Sequence, residues 1–301
     1  MVIGYRLSVI GWRLAGRGTH ALLAAALCIG AGCVFAASAA TNEMRAVPMD
    51  ELVVRAQRFG STEPKRADKA AARDELFRRG PEALRWLMAH SRIENVTVQG
   101  LALESVLRLK AEEGVPVLLD FLKADEPLVR KYAAYFLGFY QTPEHADRLT
   151  PLLADEEAAG AAIRTLGKWK VGAAVPAIVP FLKHTREIRR VAAANALRDI
   201  GDPAAADALI GALDDPMFTV RETAARALAS FGREAERAMI RALPSADGQR
   251  KRALIRALGD MRADRASRAL KRLRDDPDPD VRGDVQEALQ RIAEPRKKPG
   301  A

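Results

Sequence analysis

Apolar residues recur along this chain at intervals of 29 to 31 positions through most of its length. The eight residues that share this spacing are Leu76, Val106, Leu137, Leu166, Leu197, Leu228, Leu258 and Leu289. We call these residues the anchors. A fixed period of this size is typical of a solenoid, in which each repeat is one small unit that buries its apolar face against the next. The spacing therefore predicts an array of stacked repeats.

Each repeat contains two apolar stripes at helical spacing. In residues 220–243 the two stripes are separated by Gly232, and the same layout returns at residues 129–153, 188–213 and 250–273. The first stripe consists of Val220, Ala224, Leu228 and Phe231, and the second of Ala235, Met239, Ile240 and Leu243. This pattern predicts two short amphipathic helices joined by a tight turn. Because no β-type alternation of useful length occurs, we expect a nearly all-α chain.

A second set of leucines keeps the same interval and marks the second helix of each repeat. Its members are Leu122, Leu153, Leu182, Leu213, Leu243 and Leu273. An apolar residue also follows most anchors by three positions, but the first repeat has Arg79 there, as a terminal capping unit would. Aspartate and proline recur in the loops at residues 125–127, 214–216 and 275–277. Aspartate can cap free helix N–H groups and proline fits the first helical turn, so these loops predict where first helices begin.

Charged residues also follow the repeat period. Aspartates recur in the loops at Asp125, Asp215 and Asp276, and arginines recur near the starts of first helices at Arg130, Arg189, Arg221 and Arg282. We interpret these residues as an Asp–Arg ladder between layers rather than as acid/base pairs, because structural ion-pair networks are common.

Three segments resemble HEAT-like repeats of the short class first named from phycobilisome-lyase-type proteins. They are VRETAARAL (220–228), ALRDIGDPAAADALIGALDD (196–215) and DPDVRGDVQEAL (278–289). The resemblance covers residues 66–293 and implies an all-α fold, an α-solenoid of seven to eight stacked two-helix repeats of about 30 residues. Tetratricopeptide and ankyrin arrays have longer periods of about 33–34 residues, and their signatures are absent. The family includes scaffolds, lyases and hydroxylases, so the resemblance implies fold more than function.

The N-terminus has the features of a secretory signal peptide. Arg6, Arg13 and Arg17 precede an unbroken run of small and apolar residues at 21–40, which contains small-x-small cleavage patterns ending at Ala39 and Ala40. Two alternatives remain open: the run is just long enough to span a membrane uncleaved, and Cys33 follows a partial lipobox and is a candidate lipidation site. We expect export to the periplasm or cell envelope, with a membrane-anchored form as the alternative.

These features give a predicted domain layout. Residues 1–40 form the signal peptide, 41–65 an N-terminal cap helix and loop, 66–293 the repeat solenoid, and 294–301 a basic disordered tail. The only cysteines are Cys28 and Cys33, so a cleaved chain would have neither a disulfide nor a thiolate metal site.

Basic residues are unevenly distributed in a chain of net charge +9. Residues 221–274 contain 15 basic and 6 acidic residues. Five of these basic residues fall on predicted second helices, which usually line the concave face of a solenoid, and are candidate partner-binding residues: Arg237, Arg241, Arg268, Lys271 and Arg272. Aromatic residues crowd one further helix, where Tyr132, Tyr135 and Phe139 are read either as gap fillers between layers or as an aromatic hot spot for a partner.

Residues for catalysis are not grouped in this sequence. His90, His145 and His184 lie on different repeats with no shared spacing, and no His-Glu dipeptide of the kind used by the family's di-iron hydroxylase occurs. We therefore expect no metal, no cofactor and no enzymatic activity. The expected function is a scaffold or adaptor in the bacterial cell envelope that binds an acidic protein partner and no nucleic acid. The alternatives are an envelope-surface protein, held by an uncleaved anchor or a lipidated Cys33, and a HEAT-like lyase.

Overall fold

The computed structural model of the chain describes residues 44–57, 62–91 and 96–294. The predicted signal peptide, Cys33 and most of the basic tail lie outside the described residues. Within these ranges the chain forms sixteen α-helices and no β-strand, which confirms the expected α-solenoid. The chain divides into two compact units, Met1–Arg79 and Gly80–Ala301.

The helix boundaries follow the predicted two-helix rhythm. In chain order the helices are α1 (Met49–Gln57), α2 (Glu63–Arg78), α3 (Pro81–Ala89), α4 (Val96–Arg108), α5 (Ala111–Phe121), α6 (Pro127–Leu137), α7 (Ala146–Leu149), α8 (Ala159–Lys168), α9 (Val175–Ile178), α10 (Glu187–Ile200), α11 (Ala206–Ala212), α12 (Phe218–Ser230), α13 (Arg233–Ala242), α14 (Gly248–Asp260), α15 (Ser267–Lys271) and α16 (Pro279–Ala293). The even-numbered helices from α2 onward are the first helices of the repeats, and the odd-numbered helices from α3 onward are the second helices. The second helices are shorter, and several are extended by 3-10 turns such as Thr150–Ala154 and Val179–Lys183.

The first unit contains α1 and α2. The sequence predicted a loop through Pro64, but α2 already begins at Glu63, because proline fits the first turn of a helix. Glu75 of α2 is buried and is held by two arginines, and the hydrogen bond from Arg78 in particular lowers its pKa despite its burial. Arg79 donates to the carbonyl oxygen of Val47 at 2.6 Å. Arg79, which interrupts the apolar pattern of the sequence, thus links α2 to the segment before α1 within this unit.

The anchors form the core, as the period predicts. Seven of the eight are at most 1% exposed, whereas Leu289 on α16 is half-buried, since no further repeat among the described residues covers it. Two second-helix leucines depart from the prediction. Leu153 is half-buried while Leu152 is buried, because a 3-10 turn there shifts the inward face. Leu273 lies beyond the end of α15 and is also half-buried.

Glycines allow consecutive first helices to approach closely. Gly167 follows its anchor by one position, and a Cβ atom built there would lie 2.7 Å from the Cα of Ala196 on α10. Gly259 holds the same repeat position, and its Cβ would lie 2.8 Å from the Cα of Ala288 on α16. Such distances are too short for any real side chain, so the layer spacing at these points depends on glycine.

The predicted Asp–Arg ladder exists, with a different register. Its three rungs each join residues 25 positions apart: Arg130 Nε to Asp155 Oδ2 at 2.6 Å, Arg190 Nε to Asp215 Oδ2 at 2.6 Å, and Lys251 Nζ to Asp276 Oδ2 at 3.0 Å. The prediction of Arg189 was wrong by one residue, because Arg190 is the one that faces the next repeat. Asp125 accepts from Arg130 through its backbone carbonyl oxygen at 2.8 Å rather than through its carboxylate.

The arginines near the starts of first helices also bind the end of the preceding repeat. The Nη1 group of each arginine donates to the two carbonyl oxygens that lie five and six residues earlier in the chain, at 2.6 to 3.1 Å. The arginines that do so are Arg130, Arg190, Arg221 and Arg282. These carbonyls lie in the loops after second helices, where helical partners are missing. The recurring arginines are therefore structural, as the sequence indicated.

Candidate interaction surfaces

The five predicted basic residues lie on two second helices of consecutive repeats. Arg237 and Arg241 are one helical turn apart on α13, while Arg268 and Lys271 lie on α15 and Arg272 follows it directly. All five side chains are exposed. Residues three or four apart share one face of a helix, so each helix presents its cations as a short row. We call these five residues the basic rows.

Most cations of the basic rows have no anionic partner among the residues that the structure describes. Arg237 pairs with Glu234 of the same helix, with Nη1 3.3 Å from Oε1. The other four make no ion pair with any described residue. An exposed pair of the Arg237 type is worth little, about 0–1 kcal/mol, so this arginine is easily recruited by another anion. Rows of arginines present forked donors that match carboxylates or phosphates.

Some aromatic residues in and just after α6 fit the gap-filler interpretation and others fit the hot-spot interpretation. Phe136 and Tyr140 are buried gap fillers; the Tyr140 hydroxyl donates to the carbonyl oxygen of Val106 at 2.8 Å, and burial raises its pKa to about 12. Phe139 is 39% exposed, and Tyr132 and Tyr135 are half-buried. The three residues selected as a hot spot are thus the accessible members of the cluster.

Two cations that the sequence reasoning missed lie beside these aromatic rings. Lys168 Nζ of α8 is 4.8 Å from the ring centroid of Phe139 and 6.0 Å from that of Tyr135. The exposed Arg164 lies one turn earlier on α8, and partial desolvation, together with the nearby cation of Arg189, lowers its pKa. A repeat alignment contains the missed signal: Arg164 and Lys168 precede and follow their anchor by two positions, as Tyr135 and Phe139 do theirs.

A groove of about 510 Å³ lies between α12 and α14, with the 66% exposed Phe218 among its lining residues. Its cations are already partnered within the fold. Arg252 pairs with Asp284 at 2.7 Å and with Asp280 at 2.5 Å. The groove therefore offers less unpaired charge to a ligand than the basic rows do.

The histidines and carboxylates that could serve in catalysis are not brought together among the described residues. His90 stacks on Trp86 with ring centroids 3.8 Å apart, and His184 accepts from the backbone N–H of Arg186 at 3.0 Å. Across residues 44–57, 62–91 and 96–294, no three His, Cys, Asp or Glu side chains are grouped to hold a metal ion. In the same part of the chain, no helix has the length and apolar character needed to cross a bilayer.

Comparisons with known proteins agree with this architecture. The family model described as HEAT repeats matches residues 81–160, 152–229 and 211–290. No curated protein shows significant sequence similarity to the chain.

Similar solved structures include YibA and two structures that are named for enzymes. YibA of Escherichia coli is 16% identical, with 94% of this chain and 99% of that chain covered and a TM-score of 0.47. Human deoxyhypusine hydroxylase in complex with glycerol is 21% identical, with 85% and 97% covered and a TM-score of 0.34. The complex of CpcE and CpcF of phycocyanin lyase from Nostoc sp. is 21% identical, with 61% and 95% covered and a TM-score of 0.34. Similarities this distant carry no argument about activity.

Proposed function

The chain belongs to the HEAT-repeat family, and from this premise we propose that it is a non-catalytic scaffold of the bacterial cell envelope that binds an acidic protein partner through the basic rows. The observation that carries the proposal is the set of exposed cations on α13 and α15, four of which have no carboxylate partner among the described residues. Solenoids present extended surfaces of this kind to other chains. The envelope location rests on the signal-like residues 1–40 alone.

Unpaired surface cations also favour a second candidate function. An anionic lipid surface or envelope polymer attracts the same basic rows, at about 1 kcal/mol per basic residue near the surface. In that case the chain would be held at the membrane by an uncleaved anchor or by a lipidated Cys33. A lyase role remains a family analogy, because no group in the described residues supports it specifically.

Charge reversal of the basic rows tests the proposal. The triple variant Arg237→Glu, Arg241→Glu, Lys271→Glu should bind a fluorescein-labelled poly-Glu peptide at least about tenfold more weakly than the wild type, because attraction becomes repulsion. Fluorescence anisotropy over a salt series measures this, and the variant should also show a shallower salt dependence. The matched control, Lys123→Glu, Arg148→Glu, Lys170→Glu, has the same net charge and changes exposed residues elsewhere.

Equal weakening in the two triple variants would reject the basic rows as the site. Binding of phosphatidylglycerol vesicles by the wild type, with no binding of poly-Glu, would favour the surface role instead. Cross-linking in cells followed by affinity purification and mass spectrometry, run in parallel for the wild type and the triple variant, then identifies the partner lost on charge reversal. The same spectra identify the N-terminus of the mature chain and so test export.

A further inference from the structure

Four side chains on two neighbouring first helices form a separate surface site. Tyr135 and Phe139 belong to α6 and the turn after it, and Arg164 and Lys168 belong to α8. Each pair flanks its anchor by two positions on either side, so the four occupy equivalent points on successive layers. We call them the quartet. The rings of Tyr135 and Phe139 meet edge to face, with centroids 5.4 Å apart, and Lys168 Nζ lies over both.

The two cations of the quartet differ from their counterparts in other repeats. At the repeat position of Arg164, Arg226 pairs with Glu222 at 3.3 Å and Arg256 lies 3.9 Å from Asp284. At the repeat position of Lys168, Arg291 pairs with Glu287 at 2.6 Å. Neither Arg164 nor Lys168 has a carboxylate within ion-pairing distance among residues 96–294. Among the cations at these two repeat positions within residues 96–294, only Arg164 and Lys168 are thus left without a carboxylate partner, and this is where aromatic rings adjoin them.

Neighbouring groups increase this imbalance of charge. Arg189 of α10 is close enough to Arg164 for the two cations to repel, and its own Nη2 donates to the carbonyl oxygens of Glu156 and, at 3.4 Å, Glu157. Lys168 has three N–H donors, and its contact with the Gly138 carbonyl oxygen, at 3.4 Å, occupies at most one. Arg164 makes no hydrogen bond with a described residue. Several charged donors therefore remain available for an external anion.

We propose that the quartet is a docking site for an acidic segment of a partner protein, in which carboxylates pair with Arg164 and Lys168 while an apolar side chain packs on Phe139 and Tyr135. Two cations without a carboxylate partner, one of which lies over the accessible rings of Phe139 and Tyr135, complement a peptide that alternates acidic and apolar residues. Desolvated ion pairs give such a contact its specificity, and aromatic rings supply area at low entropic cost. This site shares with the proposed function only the expectation of an acidic protein partner, because it uses other helices and other residues than the basic rows.

The full chain and two labelled peptides test the proposal. The first peptide is Glu-Glu-Leu-Glu-Glu and the second is its Gln-substituted counterpart, each carrying fluorescein. We expect the wild type to bind only the acidic peptide measurably, and Arg164→Gln and Phe139→Ala each to weaken binding by about fivefold or more. Arg226→Gln is the matched control, because it removes the same charge at the equivalent repeat position; it should change the affinity by less than about twofold.

Thermal unfolding distinguishes a binding role of Arg164 from a structural one. Since Arg164 is repelled by Arg189 and unpaired, Arg164→Gln should unfold at the same temperature as the wild type or at a higher one. A lower midpoint that accounts for the loss of binding would overturn the proposal. Equal binding of the two peptides, equal effects of Arg164→Gln and Arg226→Gln, or binding of phosphatidylglycerol vesicles in place of the peptide would also overturn it.

The two proposals can be rejected independently of each other. If reversal at Arg237, Arg241 and Lys271 abolishes acidic-peptide binding while the quartet variants bind normally, the quartet is not a site and the basic rows remain one. The opposite result retains the quartet and rejects the basic rows.

Discussion

Asp155 both caps backbone N–H groups of its own loop and binds an arginine of the neighbouring repeat. Its Oδ1 accepts from the backbone N–H groups of Glu157 and Ala158, both at 2.9 Å, and its Oδ2 accepts from Arg130. Burial alone would raise its pKa, but these hydrogen bonds together hold the pKa of Asp155 below the ordinary 3.8. The carboxylate is thus more stable in the folded chain than in the unfolded chain. It closes its own loop and ties one repeat to its neighbour.

Replacing Asp155 should therefore change the pH dependence of stability. A group with a depressed folded pKa stabilises the fold fully above its unfolded pKa, and this contribution is lost as the pH falls through the folded pKa. We expect Asp155→Asn to unfold more easily by about 1–3 kcal/mol at neutral pH, and the difference from the wild type to vanish at pH values well below about 4. Urea unfolding followed by circular dichroism over a pH series measures this difference.

The exposed ion pair of Asp120 with Arg85 provides the control. Both side chains are more than half exposed, so Asp120→Asn should change the unfolding free energy by less than about 1 kcal/mol at any pH. A gap between the wild type and Asp155→Asn that stays constant down to low pH would show that packing, rather than charge, is what Asp155 contributes.

At the scale of the helices, stacking depends on where glycine lies relative to the anchor. Gly138, Gly167 and Gly259 each follow an anchor by one position and face a small residue of the next first helix. The facing residues are Thr165, Ala196 and Ala288. Thr165 adds a bond across the same contact, since its hydroxyl donates to the carbonyl oxygen of Ala134 at 2.7 Å. Close approach is therefore a property of helix pairs rather than of single helices.

Adding one methyl group at this contact should separate the helices. In Gly167→Ala the new Cβ would meet the backbone of Ala196 at 2.7 Å, which no side-chain rotation relieves, so we expect a loss of about 1–3 kcal/mol from overpacking. In contrast, Gly211→Ala on α11 meets nothing within 4 Å and should stabilise the chain by up to about 1 kcal/mol through helix propensity. Urea titrations of both variants measure these opposite signs. Loss of stability in both would indicate that glycine is needed for flexibility rather than for spacing.

At the scale of the whole solenoid, the contribution of an anchor to stability depends on how many neighbouring repeats cover it. Leu197 is fully buried between neighbouring repeats, whereas Leu289 holds the same repeat position in α16 and is half-buried. In a solenoid each repeat contacts only its neighbours, so stability is close to a sum of repeat and interface terms. Equivalent leucines should therefore have unequal effects.

Alanine at these two anchors should show that inequality. We expect Leu197→Ala to cost about 2–5 kcal/mol, as for a fully buried leucine, and Leu289→Ala less than about 2 kcal/mol. Hydrogen exchange monitored by mass spectrometry separates local from global effects: protection should fall around α10 in the first variant and only near α16 in the second. Equal losses in the two variants would mean that the chain unfolds as one cooperative block rather than as an array.

The order of residues was enough to predict the repeat architecture. Helix formation and the interval of about 30 residues depend on local periodicity, so the all-α class, the two helices of each repeat and the burial of seven of the eight anchors followed from it. The structural role of the recurring arginines was also predictable, because a cation near a helix start can reach the nearby carbonyl oxygens of its own loop.

Contacts between repeats were decided only by the tertiary structure. Neighbouring first helices bring together residues separated by about one repeat, and a register error of one position turns a side chain by about 100° around its helix. This is why Arg190, and not Arg189, reaches Asp215, and why Arg164 and Lys168 were not associated with the aromatic rings about 29 positions before them. Both candidate surfaces are made of ordinary surface residues; only packing shows which of their charges are already matched.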